Sequence, residues 1–272
     1  MKKLLITSFL RTITGMRFSG MLSLLTAFSF LLVAGTFSML LITSCTGEQA
    51  DDCFTNSGPQ VTESRPAGII EKIELWDNVN LVLIPGSSPQ ISVEAGENIM
   101  NAVTTEITGG TLIIRNTMKC NWVRNFNKEL TVYATAPLLS EIRYEGSGDI
   151  STRNQLKLDS LKVSIWGGAG SFNLDLDVIR LNLEQHYGTV DLNVAGRAYI
   201  TTIFSNSYGP FYCDSLVSNI IYIRNSGTNN CYVHPLHVLE AEITSVGDIY
   251  YSGNPYDVKS VITGSGKLVK TE

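Results

Sequence analysis

The chain has 272 residues and a net charge of −5; 44 % of its residues are hydrophobic and 17 % charged. That length supports one large or two small domains, and the acidic balance gives no bulk attraction to nucleic acid or to an anionic membrane. With 23 glycines and an apolar set led by Val, Ile and Leu, this is the profile of an all-β protein rich in turns.

Residues 1–20 carry Lys2, Lys3, Arg11 and Arg17 and no acid, and Met21 to Cys45 carries no charge at all. A basic stretch followed by an apolar one is a secretory signal. The apolar run is also long enough to cross a bilayer as a retained helix. Its end, Ile42-Thr43-Ser44-Cys45, resembles the lipobox of bacterial lipoproteins: a branched apolar residue, two small residues, then a cysteine. The resemblance implies that residues 1–44 are a lipoprotein signal peptide and that the Cys45 thiol takes the lipid. Gln49-Ala50-Asp51-Asp52 resembles the acidic signal that sends some lipoproteins to the outer face of the outer membrane; the other reading is an ordinary polar tether. Together these resemblances imply an outer-membrane lipoprotein of a Gram-negative bacterium, facing the cell surface. Residues 45–66 are polar, with Gly and Pro, and read as a flexible tether.

Residues 67–140 read as an N-terminal β-rich cap. Strands are expected at 69–75, 79–84, 90–94, 103–107, 111–115 and 130–135, with a short helical piece at 97–102 and a turn at Gly109-Gly110.

From 141 to 272 the chain repeats itself. Gly148, Gly170, Gly188, Gly209, Gly227, Gly247 and Gly266 are spaced by 22, 18, 21, 18, 20 and 19 residues. Two residues after each stand Ile150, Phe172, Val190, Phe211, Asn229, Ile249 and Leu268, and the flanking residues alternate apolar and polar as strands do. A period near twenty is too short for a strand-helix-strand unit, which needs about thirty residues. It fits coils of strands stacked as a β-solenoid. Each glycine is expected to turn the chain with a positive φ, where only glycine is unstrained. An evenly spaced β-sandwich is the competing fold.

Three features occur together in order: VNLVLIPGSSPQISVEAGENIMNAV followed by TGGTLIIRN; LTVYATAPLLSEIRYEGSGDI; and the recurring glycine turn. Their order resembles the head GIN domain family of putative adhesins over roughly residues 68–268. The resemblance implies a right-handed parallel β-helix, shaped like the pectin lyases without their catalytic residues, in an envelope or surface protein whose usual assigned role is adhesion. Asn229 and the Tyr208-Gly209-Pro210 turn depart from the pattern.

The outward columns hold Asp149, Asp191 and Asp248 on separate coils, with no convergence of oxygens that calcium would need. Cys231, His234 and His237 have metal-ligand side chains but lack a fourth ligand, and Pro235 sits between the histidines. They read as a turn with surface histidines, and no cofactor is expected. Cys213 and Cys231 each follow a turn glycine by four residues, so they are expected to stack on adjacent coils, either as a disulfide or as two buried thiols. Cys53 and Cys120 would form the remaining pair. Asp159-Ser160-Leu161 and Asp214-Ser215-Leu216 resemble the acceptor of a bacterial O-glycosylation system, which would place glycan on Ser160 and Ser215; a simple turn is the other reading. Tyr212 and Tyr250, on a polar column, could offer flat rings to sugars or proteins, or could simply stabilise the sheet.

These readings converge on a lipid-anchored, non-catalytic head for adhesion, with a glycan or extracellular protein as partner. Two alternatives stand beside it: a periplasm-facing structural or envelope-stress protein, and a carbohydrate-active β-helix enzyme.

Overall fold

A computed structural model describes residues 56–118 and 129–271. Of the described residues 65 % are strand and 3 % helix, built as a β-solenoid of about six stacked parallel coils. Apolar alternation accounts for this: in most strands, β1, β16 and β17 excepted, about every second side chain is buried, and 48 buried apolar residues from Ile70 to Ile249 form one core.

The N-terminal end begins with β1 (Gln60–Arg65), inside the stretch read as a tether, followed by β2 (Lys72–Asp77), β3 (Asn80–Leu83) and β4 (Gln90–Gly96). A 3-10 helix (Glu97–Ala102) leads to the hairpin β5 (Val103–Thr108) and β6 (Thr111–Asn116). Its turn is Gly109-Gly110 with φ of 56° and 78°, the left-handed pair that a two-residue hairpin loop requires. β7 (Thr131–Thr135) follows. β1, β4 and β7 pair antiparallel, whereas β6 and β7 stack in parallel on β2 and β3. The first coil is therefore β2–β3, and the antiparallel strands cover its open end.

The remaining strands are β8 (Glu141–Gly146), β9 (Ile150–Thr152), β10 (Leu156–Gly168), β11 (Ser171–Tyr187), β12 (Asp191–Ser205), β13 (Phe211–Asn225), β14 (Cys231–Ile243), β15 (Ile249–Tyr251), β16 (Asp257–Ile262) and β17 (Leu268–Lys270). The long strands bend at corners, so each full coil has three sides. Side one stacks Leu81, Ile150, Phe172, Leu192, Phe211, Cys231, Ile249 and Leu268. Side two runs from Leu156 through Leu176, Gly196 and Leu216. Side three stacks Ile73, Ile142, Val163, Leu183, Ile203, Ile223 and Ala241.

The glycines recur at the corner from side three to side one, but for a different reason from the one expected. Of the seven, only Gly188 has a positive φ, of 102°. The others are required because a Cβ would strike the backbone of the coil beneath. It would lie 2.0 Å from the Val79 carbonyl oxygen at Gly148, 2.2 Å from that of Gly148 at Gly170, and 2.0 Å from that of Val190 at Gly209. Stacking at the β-spacing leaves no room for a side chain there.

Polar side chains aimed into the core brace the same corner. Tyr144 Oη donates to the Gly148 carbonyl at 2.8 Å and accepts from the Gly170 N–H at 3.1 Å. Gln185 donates to the Val190 carbonyl at 3.1 Å. Asn225 donates to the Asn229 carbonyl at 3.0 Å and accepts from the Gly227 N–H at 3.0 Å. These bonds satisfy turn groups that would otherwise be buried unpaired.

Aligning coils by glycine misplaces two of them. Leu192, not Val190, stacks on Phe172, and Cys231, not Asn229, stacks on Phe211. The corners after Gly188 and Gly227 are two residues longer than the rest.

Candidate functional site

The two-residue offset decides where the cysteines lie. Cys213 pairs in register with Val233, and Cys231 with Phe211. They are diagonal neighbours, not stacked ones, and both are free, buried thiols. Strands about 4.8 Å apart with a two-residue offset separate such Cα atoms by about 8 Å, beyond the reach of a disulfide. The expected stacking, and the bridge it would allow, is corrected accordingly. Burial pushes the Cys231 thiol up to about 12 and the Cys213 thiol higher still. Cys45, Cys53 and Cys120 lie outside the described residues, as do the signal, lipobox and acidic stretches.

The offset also completes a tyrosine ladder. Tyr212, Tyr232 and Tyr250 stack in register on the outside of side one, with ring centroids 5.5 and 5.1 Å apart and planes within 15° of parallel. Tyr232 was missed because glycine counting put Asn230 in its place. Tyr232 has a ring stacked on each face, and Tyr212 and Tyr250 end the stack with one face each engaged. Tyr250 Oη donates to Asp248 at 3.0 Å, and that hydrogen bond chiefly holds the phenol above its ordinary value.

The outward acids on this corner hold the next coil. Asp149 accepts from the Ser171 N–H at 2.8 Å, and Asp248 from the Lys267 N–H at 2.7 Å. Among the described residues no three His, Cys, Asp or Glu side chains gather as a metal site. Cys231 points into the core, whereas His237 leans on Tyr256 at 5.6 Å. Ser160 and Ser215 are both exposed, at corners of the coil.

The richest surface is the outside of side three, which sequence reading did not single out. Here a column of cations and rings crosses six strands. Arg115 lies over Trp76 at 4.5 Å, and Arg143 lies between Trp76 (5.9 Å) and Trp166 (5.4 Å). Trp166 stacks on His186 at 3.9 Å, and His186 meets Phe204 at 5.5 Å. Alternation places the indole here: Val163 and Ile165 are buried and Trp166, the next residue, faces out. The column continues in register from Phe204 to Arg224 and Glu242, which pair at 3.6 Å.

Beside it run ion pairs, two within one register column and the third, Lys162–Glu184, reaching across to the column of Phe204. Lys72 meets Glu141 at 3.0 Å, Lys162 meets Glu184 at 3.0 Å, and Lys259 meets Glu240 at 3.3 Å. Burial pushes the Glu184 carboxyl up, but hydrogen bonds from Lys162 and Asn182 and the Lys162 charge outweigh it and hold Glu184 below its ordinary value. Between these columns, toward β16, lies a groove of about 600 Å³ edged by Phe204, Tyr222, Arg224, Glu242 and Lys259. A second groove, of about 630 Å³, lies over side two between Lys157, Asp177, Arg197 and Tyr199. Offset aromatic rings beside paired charges give side three both apolar area and fixed hydrogen-bonding groups.

Comparison with known proteins agrees with this architecture. None of the curated proteins matches the chain. A solved putative adhesin from Bacteroides fragilis NCTC 9343 superposes with a TM-score of 0.70 at 22 % identity, over 78 % of this chain and 97 % of that one. A putative lipid binding protein from Parabacteroides distasonis ATCC 8503 gives 0.62 at 20 % identity, over 80 % and 98 %. A putative adhesin from Parabacteroides merdae ATCC 43184 gives 0.51 at 19 % identity, over 80 % and 98 %. At such identities the likeness is one of fold. Residues 70–255 match the family described as "Putative auto-transporter adhesin, head GIN domain", and the chain belongs to that family.

Proposed function

We propose that the protein is an outer-membrane lipoprotein, anchored through lipid on Cys45 and displayed at the cell surface, whose head binds its partner without chemical turnover. The partner is a glycan or an extracellular protein, and the binding surface is side three. The observation that carries this reading is the column from Arg115 to Phe204 running into the groove at Tyr222 and Arg224. A rigid parallel stack holds these groups at fixed intervals, so binding would cost little ordering entropy. The family supports an adhesive role. The outward acids are engaged in ion pairs and turn hydrogen bonds, which suits a binding surface better than an acid–base pair.

The purified protein on an array of glycans, extracellular proteins and lipids tests this, with product release followed in parallel; lipids belong on it because one structural neighbour is described as lipid binding. Saturable binding weakened by substitutions on side three supports the proposal. Sustained turnover of a polysaccharide would overturn it. Display is tested by protease added to intact cells: a protected head would place it facing the periplasm.

A further inference from the structure

The solenoid is covered at its N-terminal end by antiparallel strands, but the last coil has no such cover among the described residues. β16 hydrogen-bonds only to β14, and β17 only to β15. The core is open there as well. Leu239, Ala241 and Ile243 are 0–4 % exposed, yet the residues stacked on the first and last of them, Val258 and Ile262, are 40 % and 46 % exposed. Tyr256 and Val261 beside them are 80 % and 61 % exposed. An unpaired edge with exposed apolar side chains is a template for another strand.

We propose that this edge pairs with the same edge of a second copy, β16 against β16, antiparallel about a twofold axis at Ser260. Self-complementarity selects this partner. With Ser260 opposite itself, Val258 faces Ile262 of the second copy and the reverse, so each exposed core end closes with apolar groups. On the outer face Lys259 meets Val261 of the second copy, and its charge is already neutralised by Asp257 at 3.1 Å and Glu240 at 3.3 Å. Moving the axis to Lys259 would set Val258 against Ser260, so its exposed apolar side chain would no longer meet an apolar partner across the joint. The hydrogen bond from the Thr263 N–H to the Ile243 carbonyl, 2.9 Å, fixes which groups face β14. By alternation the N–H and C=O groups of Val258, Ser260 and Ile262 face the open side, as a hydrogen-bonded antiparallel pair requires.

The joint is small. A coil of twenty residues at about 3.3 Å each encloses only a few hundred Å², below the ~800 Å² per partner of a standard interface. The dimer therefore depends on concentration, and it gains from confinement of both copies to one membrane. Its product is a continuous sheet through two heads, with two side-three faces.

Site-directed crosslinking tests the proposal. In a hydrogen-bonded antiparallel pair the two Ser260 Cα atoms would be about 5.5 Å apart, within disulfide range. The full chain carrying Ser260→Cys, oxidised mildly in membranes, should give a dimer band well above the parent chain, whose own cysteines set the background. Ser160→Cys, equally exposed but remote, should not. Adding Val258→Asp or Ile262→Asp should abolish the band, with circular dichroism confirming that the coils remain. No band above the parent overturns the proposal, as does an equal band from Ser160→Cys. A crosslink of a different mass would assign the edge to another protein and overturn it too.

Discussion

The imidazole of His186 lies on the indole of Trp166, with ring centroids 3.9 Å apart and planes 16° from parallel. The pair sits mid-column on side three, where Arg143 covers the indole from the neighbouring strand. If side three binds the partner, Trp166→Ala should lower affinity at least tenfold, since buried aromatic anchors dominate interface energetics. The fold should lose about 2–3 kcal/mol, the aromatic pair plus the covered part of the indole, since Trp166 is 41 % exposed. Titration calorimetry of the parent and variant against an array hit would decide; unchanged affinity would remove this column from the binding surface.

The glycine corner makes a sharper prediction about stability. Gly170→Ala would place a Cβ 2.2 Å from the Gly148 carbonyl oxygen and 2.4 Å from Tyr144 Oη. Overpacking against backbone that cannot move should cost about 3 kcal/mol. Gly167→Ala, whose Cβ would meet nothing within 4 Å, should stay within about 0.5 kcal/mol of the parent. Urea unfolding of the two variants measures the difference, and equal midpoints would refute the steric account.

Alkaline pH should loosen the head. Burial raises Tyr144 from 10.0 to about 12 and Cys231 from 9.0 to about 12. A folded-state pKa above the unfolded one means a contribution fully present below the unfolded value and lost as pH rises through the folded one. Stability should therefore hold up to about pH 9 and decline toward 12. The Cys213 and Cys231 thiols should resist a thiol reagent at pH 8 and react once the chain is unfolded, as mass spectrometry of the modified peptides would show.

Glu184 works in the opposite direction. Its folded pKa lies below the ordinary value, so its contribution is present above the unfolded pKa and lost as pH falls through the folded one. Lys162→Met removes the closest cation, 3.0 Å away. It should raise the Glu184 pKa and move the acid limb of the stability curve to higher pH. Carboxyl NMR titration gives the direction; a downward shift would contradict the assignment.

The fold was legible because burial in a solenoid leaves a periodic trace: the seven glycines and the apolar residues after them marked the coils. The cause of the glycine was not legible, because φ > 0 and a carbonyl 2.0 Å from a would-be Cβ select the same residue. The Tyr212–Tyr232–Tyr250 ladder and the offset of Cys213 from Cys231 were obscured by the longer corner after Gly227, which shifts register without disturbing periodicity. Side three was harder still. Trp76, Arg143, Trp166 and His186 are far apart in sequence, and alternation marks each as outward without saying which of them meet.

The inward braces also set a longer rhythm than the glycines. Tyr144, Gln185 and Asn225 brace their corners, while Ile165 and Ser205 occupy the same column in the coils between. The true structural unit is thus a pair of coils, about forty residues. Deleting the one coil that carries Ser205 would set the Gln185 and Asn225 amides directly upon each other; deleting two would leave the alternation intact. Heads of this construction can shorten or lengthen at least cost in steps of two coils, so the distance from one end to the other comes in discrete sizes.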